Sequence, residues 1–187
     1  MLTVKEHNDQ AAAAYAWPGG QHWIEALGDG RHVLIRPLTE NDREREVVFV
    51  KRLSPESRHM RFLTQVNEPG AAMLDQLMDI DNHDRMAYIA LVHENGSLIE
   101  IGISRYAATG EDECECAITV ADDWQHLGLG TLLMEHLIKA ARTNGFTSMY
   151  SLDASSNNLM RQLASALGFK THSDPDDLHQ VIHHLDL

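Results

Sequence analysis

The sequence predicts one mixed α/β domain, built on a mixed, mostly antiparallel sheet with helices on both faces. Three observations carry that expectation. Helical patterns dominate the first half and give way to strands; Asn95-Gly96 joins two strand-like runs as a hairpin turn; and the C-terminal part alternates strand, helix, strand, helix, strand. The hairpin requires antiparallel neighbours and the alternation requires parallel crossovers, so the sheet must be mixed. A chain of 187 residues buries roughly 70% of its unfolded surface in one core, and no Pro-, Ser- or Gly-rich linker or internal repeat divides it. The expected layout is an N-terminal extension at 1–15 and a single domain at 16–187.

Taken in order, Trp17-Pro18-Gly19-Gly20 reads as a turn into 21–27, a segment with no clear role. Gly28-Asp29-Gly30 is a turn signal, and 32–37 alternates with period two before ending at Pro37, as a first strand would. Thr39 or Asn41 is placed to cap a helix whose apolar side is Val47, Val48, Val50 and Leu53. Ser54-Pro55 stops that helix and starts another, with Met60, Phe62 and Leu63 as core positions, and Met73, Leu74 and Leu77 mark a short helix over 71–78. Strands are expected at 86–92, 98–107 and 114–120. A long amphipathic helix then spans 128–143, with Leu129, Leu132, Leu133, Leu137, Ala140 and Ala141 on its inner stripe. A strand at 147–152, a helix at 157–167 stopped by Gly168, and a strand at 181–185 complete the chain.

Composition narrows the function. The 28 acidic and 15 basic side chains give a net charge of −13, which argues against a groove that must neutralise nucleic-acid phosphates and suits a cationic partner. The only apolar stretch near the start, 11–17, follows mixed charges at Lys5, Glu6 and Asp9 rather than a basic signal-peptide front. No run approaches the roughly 20 apolar residues that span a bilayer. A cytoplasmic protein without membrane association is expected. Cys114 and Cys116 are the only cysteines. Two apart in a strand, they face one side near the outer limit of disulfide reach, so reduced core thiols are expected, and two such ligands alone make no metal motif.

The chemically informative stretch is a strand from Cys116 to Val120, a turn through Ala121-Asp122-Asp123-Trp124, and Gln125-His126-Leu127-Gly128-Leu129-Gly130-Thr131 opening the long helix. First-turn N–H groups lack intrahelical acceptors and carry the positive end of the helix dipole, so they form an anion site without any Lys or Arg. Gly128 and Gly130 leave the backbone open to close approach by a diphosphate. A dinucleotide fingerprint would want a further glycine where Leu133 stands, which makes that reading poor.

Gln125-x-x-Gly128-x-Gly130 after a strand resembles the acetyl-CoA pyrophosphate loop of the GNAT superfamily of N-acetyltransferases. Asn157-x-x-Met160-x-x-Leu163 followed by Leu167-Gly168-Phe169 is similar to the helix and turn flanking the cofactor's other side. Upstream, Leu27-Gly28-Asp29-Gly30, Ile35-Arg36-Pro37-Leu38 and Leu53-Ser54-Pro55-Glu56-Ser57 with Arg61-Phe62 resemble the acetyltransferase domain of bacterial Pat-type protein lysine acetyltransferases. The resemblance implies a splayed sheet of about seven strands. It also implies an acyl-pantetheine arm entering between the strand ending at Val120 and the one beginning near Thr147.

On that resemblance the backbone of Ile118, Thr119 and Val120 pairs with the pantetheine amides as a neighbouring strand would. Gln125 and the backbone N–H groups of His126, Leu127, Gly128, Leu129, Gly130 and Thr131 hold the diphosphate, with Asn157 on the far side. The implied reaction is direct attack of an amine, a protein lysine above all, on the thioester of acetyl-CoA, with no metal. Glu115 stands at the position of the general base, its side chain opposite to Cys114 and Cys116; Glu113, on the same face, is its nearest rival. Two departures stand out. Ala164 occupies the place where many relatives carry a tyrosine acid, and His126-Leu127 stand where relatives often carry arginine. A small-molecule amine as acceptor, a non-catalytic acyl-CoA-binding role and a homodimer remain open alternatives.

Overall fold

The computed structural model describes residues 21–63 and 68–187; the expected extension at 1–15 and the turn at 17–20 lie outside the described residues. The chain runs β1 (Trp23–Ala26), β2 (His32–Pro37), a short 3₁₀ turn (Glu40–Asp42), α1 (Arg43–Arg52), α2 (Pro55–Phe62), α3 (Ala71–Met78), β3 (Arg85–Glu94) and β4 (Ser97–Ala108). It continues through β5 (Glu113–Val120), a second 3₁₀ turn (Asp122–Trp124), α4 (Leu129–Thr143), β6 (Ser148–Ala154), α5 (Asn158–Ala166), β7 (Lys170–Ser173) and β8 (Gln180–Asp186). No helix among the described residues is long and apolar enough to cross a membrane.

One sheet of eight strands results, in the order β1-β2-β3-β4-β5-β6-β8-β7, one more than the expected seven. All neighbours are antiparallel except β5 and β6. Both β1 and β7 escape the sequence reading, because each is a four-residue edge strand and all of β7 is exposed, so no apolar alternation marks it.

Two apolar layers clothe the sheet. α4 packs Leu129, Leu133, Met134, Leu137 and Ala141 on one face with Tyr88, Ile101, Cys114, Cys116 and Met149. Gly102 of β4 permits this close approach: a Cβ there would meet Leu133 Cδ1 at 3.1 Å and the Thr119 carbonyl at 3.2 Å. α1 and α3 cover the other face through Phe49, Val50, Leu53, Leu74 and Met78. The inner stripe of α1 therefore differs from the expected one, with Phe49 buried and Val48 exposed. Both cysteines are free and buried.

Thr39, one of the two expected caps, precedes the first 3₁₀ turn, and its N–H and hydroxyl both donate to Asp42 Oδ2 at 2.9 Å. The guanidinium of Arg36 meets the same carboxylate with two 2.7 Å bonds in a fully buried, bidentate pair. Arg45 adds a further contact to Asp42 Oδ1.

The functionally decisive feature is where pairing stops. β5 and β6 are in register only at Glu113↔Ser148, Cys114↔Met149 and Glu115↔Tyr150. Past that point β5 continues on β4 as far as Val120 and β6 continues on β8 as far as Ala154. The two strands part, leaving facing backbone edges.

Candidate active site

A cavity of about 800 Å³ occupies the parting of β5 and β6, walled by α2, the start of α5 and the loop into α4. Strand alternation decides what β5 offers it. Cys114 and Cys116 turn into the core while Glu115 is exposed on the cavity wall. Glu113 does not line the cavity; its carboxylate instead accepts a 3.4 Å bond from the Ser148 hydroxyl. The structure thus separates two carboxylates that sequence alone leaves as rivals.

Beyond β5 the chain turns through Asp122–Trp124, and Gln125 folds back so that its Nε2 donates to the Val120 carbonyl at 3.2 Å and to Ser57 Oγ at 3.5 Å. His126 and Gly128 take left-handed backbone conformations, with φ of 61° and 86°. At Gly128 a Cβ would meet nothing within 4 Å and would stand in open space. The first helical bond of α4 runs from Leu132 N–H to Gly128 O at 3.2 Å, so the preceding N–H groups have no acceptor within the helix. Gly130 has a packing role as well, since a Cβ there would rest 3.4 Å from Leu163 of α5. From behind, Gly28 N–H donates to Leu127 O at 3.0 Å, and the Arg31 guanidinium lies 3.8 Å from the ring centre of Trp124.

Glu115, Ile118, Thr119, Val120, Gln125, His126, Gly128, Gly130, Thr131 and Asn157 all line the cavity. Leu127 and Leu129 do not; Leu129 is buried in the core on the inner side of α4, and Leu127 is partly buried against the same core. Thr119 Oγ1 is buried with no partner among the described residues, a polar atom in the cavity wall left for something else to satisfy. Asn157 caps α5, its Oδ1 accepting from Met160 N–H at 3.1 Å. Ala164 is fully buried against the core.

Three cavity residues are assigned no part by the sequence reading. Asp122, placed there only in the turn before the loop, accepts from Ser54 N–H at 2.9 Å and from the hydroxyls of Ser54 and Ser57 at 2.7 Å each. Burial opposes its charge, but these bonds outweigh burial and hold its pKa below the usual value. The carboxylate so ties the start of α2 to the turn before the loop. Asp153, on β6, has its pKa raised by burial, against a 2.7 Å bond from Ser151 Oγ and the pull of His183 and Arg61. Arg61, on α2, is lowered to about 10 by burial and by Arg105, against the pull of Glu46, Asp153 and Glu115.

The thiols face the opposite constraint. Burial pushes Cys114 up to about 12 and Cys116 well above the usual thiol value. Both therefore stay protonated at neutral pH and are poor nucleophiles.

Comparison with known proteins bears on the same region. Residues 53–169 match the model of the acetyltransferase (GNAT) family, a span that includes α2, β5, the loop, α4 and α5. An acetyltransferase from Pseudomonas aeruginosa is 59% identical over 181 residues, covering 96% of this chain and 97% of its own. The acetyltransferase Pat of Mycolicibacterium smegmatis is 29% identical over 141 residues, covering 74% of this chain and 41% of that protein. Among solved structures, the GNAT domain of S. lividans PAT superposes with a TM-score of 0.82 at 27% identity, covering 91% of this chain and 99% of that domain.

Proposed function

Since the chain belongs to the acetyltransferase (GNAT) family and is an acetyl-CoA-dependent N-acetyltransferase, we propose that its acceptor is a protein lysine and that Glu115 is the general base. The observation that carries the reading is the parting of β5 from β6 immediately after Glu115. It puts an unpaired strand edge, a helix N-terminus and a carboxylate on one cavity. The motif resemblance to Pat-type protein lysine acetyltransferases supports a protein lysine as acceptor, and the chain is similar to two proteins that carry the name Pat.

Acetyl-CoA, when bound, supplies the thioester carbonyl that the amine attacks. The residues fit such a group: Gly128 leaves open space where a side chain would stand, and Thr119 Oγ1 awaits a partner. The edge of Ile118, Thr119 and Val120 pairs amides as an added strand would, with the Val120 carbonyl already held by Gln125. First-turn N–H groups of α4, from Gly128 to Thr131, cradle negative charge. His126 sits beside them on the cavity wall.

A lysine amine has a pKa of about 10.4 and is almost wholly protonated at neutral pH. Glu115, exposed to the cavity, takes that proton and leaves the nitrogen lone pair free. The test is turnover of acetyl-CoA against lysine peptides, free amino acids, polyamines and an unacetylated protein lysate. Acetylation of protein lysines is the expected outcome. Turnover only on small amines would move the acceptor, and bound acetyl-CoA with no turnover on any amine would refute catalysis.

A further inference from the structure

The cavity wall contains a cation that acetyl transfer leaves unused. Arg61 is the single Arg or Lys among its lining residues. It rides on α2, whose start is fixed by Pro55, by the Ser54 cap on Ser57 N–H at 3.1 Å and by the Asp122 clamp. Its position is therefore set by the same contacts that seat the loop.

No carboxylate pairs with this guanidinium among the described residues, and the reasons are local. Glu46 is bonded to Arg105 at 3.0 Å, and Asp153 Oδ2 accepts from Ser151. Glu115 lines the cavity and its carboxylate makes no hydrogen bond among the described residues. The ring of Phe62, with its centre 5.0 Å away, is a partial substitute. The nitrogens are not sealed, unlike Nε of Arg58 and Arg105. The guanidinium stays charged at neutral pH, yet burial and Arg105 outweigh the three carboxylates around it. A partly buried cation that is under-compensated gains most from an anion delivered with the substrate.

Guanidinium geometry selects the class of anion, because its planar fork matches a carboxylate with two parallel bonds. The neighbours select what carries it: Met60, Phe62, Leu63 and Ile118 form an apolar surface suited to a short carbon chain. We propose that Arg61 is a specificity-determining residue that receives a substrate carboxylate, either the distal carboxylate of a dicarboxylic acyl donor or one carried by the acceptor amine. In both cases an amide C–N bond forms and the thioester C–S bond breaks; the base takes the ammonium proton before attack, and the second nitrogen proton, acidic once the C–N bond has formed, passes through water to the departing thiolate. Arg61 touches only the spectator carboxylate.

The inference rests on the acyl arm entering between β5 and β6, and the experiment separates the two. Wild-type kcat/KM is compared for succinyl-CoA against butyryl-CoA with one carboxylate-free amine. It is then compared for acetyl-CoA with lysine against 1,5-diaminopentane, and both pairs are repeated with Arg61→Gln and Arg61→Lys. The carboxylate-bearing member should be preferred in one pair by about tenfold or more, as expected of a charge-assisted bidentate contact. Arg61→Gln should abolish that preference and Arg61→Lys should keep part of it. Preference in the first pair assigns the carboxylate to the donor, and preference in the second to the acceptor. No preference in either pair, or a preference that survives Arg61→Gln, overturns the proposal. If the Gln variant does not fold, the wild-type pairs and Arg61→Lys decide, since a preference undiminished by lysine equally overturns it. Thermal shift with free CoA distinguishes the layers: a wild type that binds no CoA sinks the cofactor reading too, whereas one that binds CoA without preference sinks only this one.

Discussion

Gly128→Glu tests the position of the diphosphate most directly. The backbone there has φ of 86°, and a Cβ would meet nothing within 4 Å. The substitution therefore costs left-handed strain of about 1–2 kcal/mol without a clash. For a chain of this size that lowers the Tm by roughly 2–8 °C and leaves the protein folded. The new carboxylate, however, enters the space a diphosphate would occupy. One unit-charge pair at about 4 Å repels by about 4 kcal/mol at an effective dielectric of 20, which is roughly three powers of ten in affinity. Gly128→Ala carries the same strain without the charge and separates the two effects. Calorimetric titration with CoA, beside circular dichroism and thermal melts, should show both variants folded, the Ala variant modestly weakened and the Glu variant without measurable binding. Wild-type CoA affinity in a folded Gly128→Glu protein would place the diphosphate elsewhere.

Three further outcomes are expected. Glu115→Gln should retain CoA affinity while lowering turnover by about 10²–10⁴ at neutral pH, with partial recovery at higher pH as the amine arrives neutral. Glu113→Gln, outside the cavity, should cost far less, and the reverse ranking in steady-state rates would reassign the base. Asp42→Ala removes the carboxylate that forms the bidentate pair with buried Arg36 and should destabilise by about 3–5 kcal/mol, a fall in Tm of about 6–20 °C; a change under 1 °C would contradict the buried pair. Asp122 has a folded pKa below its usual 3.8, so its contribution is complete above that value and is lost as pH falls through the lower folded value. Denaturant melts of Asp122→Asn should therefore differ from wild type at neutral pH and converge with it under strong acid; a gap that persists in acid would refute the linkage.

The loop was legible in the sequence because its determinants are local: a strand, a turn and two glycines within one continuous segment fix its course into α4. What joins it to the rest was not. The Ser54 and Ser57 bonds to Asp122 span 68 and 65 residues, and nothing in either segment announces the other. Asp153 illustrates a different failure. The sequence predicts its strand only as far as Leu152, and aspartate is a poor strand former. Pairing with Val181 on β8 carries β6 on to Ala154 and turns a supposed loop residue into cavity wall. Met60, Phe62 and Leu63 were read as core from their apolar character, yet they are only partly buried and line the cavity. Periodicity reports that a face avoids water without saying whether protein or substrate covers it.

The alanine at 164 follows the same logic of place. It is fully buried on α5, so the side chain that many superfamily members use as an acid is absent, and the proposed chemistry must proceed without it. The relevant comparison is between the two groups competing to leave. An alkyl thiol has a pKa of about 8.5 and a lysine amine about 10.4, so once the attacking nitrogen has lost its proton the thiolate is the better leaving group by roughly two units. Sulphur can depart unprotonated and collect its proton from water in an open cavity. Removal of the ammonium proton has no such relief, because at neutral pH fewer than about one amine in a thousand is already neutral. The demand on the protein falls on the base and hardly on the acid. On the proposed reading, that asymmetry would make an exposed carboxylate at Glu115 sufficient and let the cavity give the tyrosine's position to core packing.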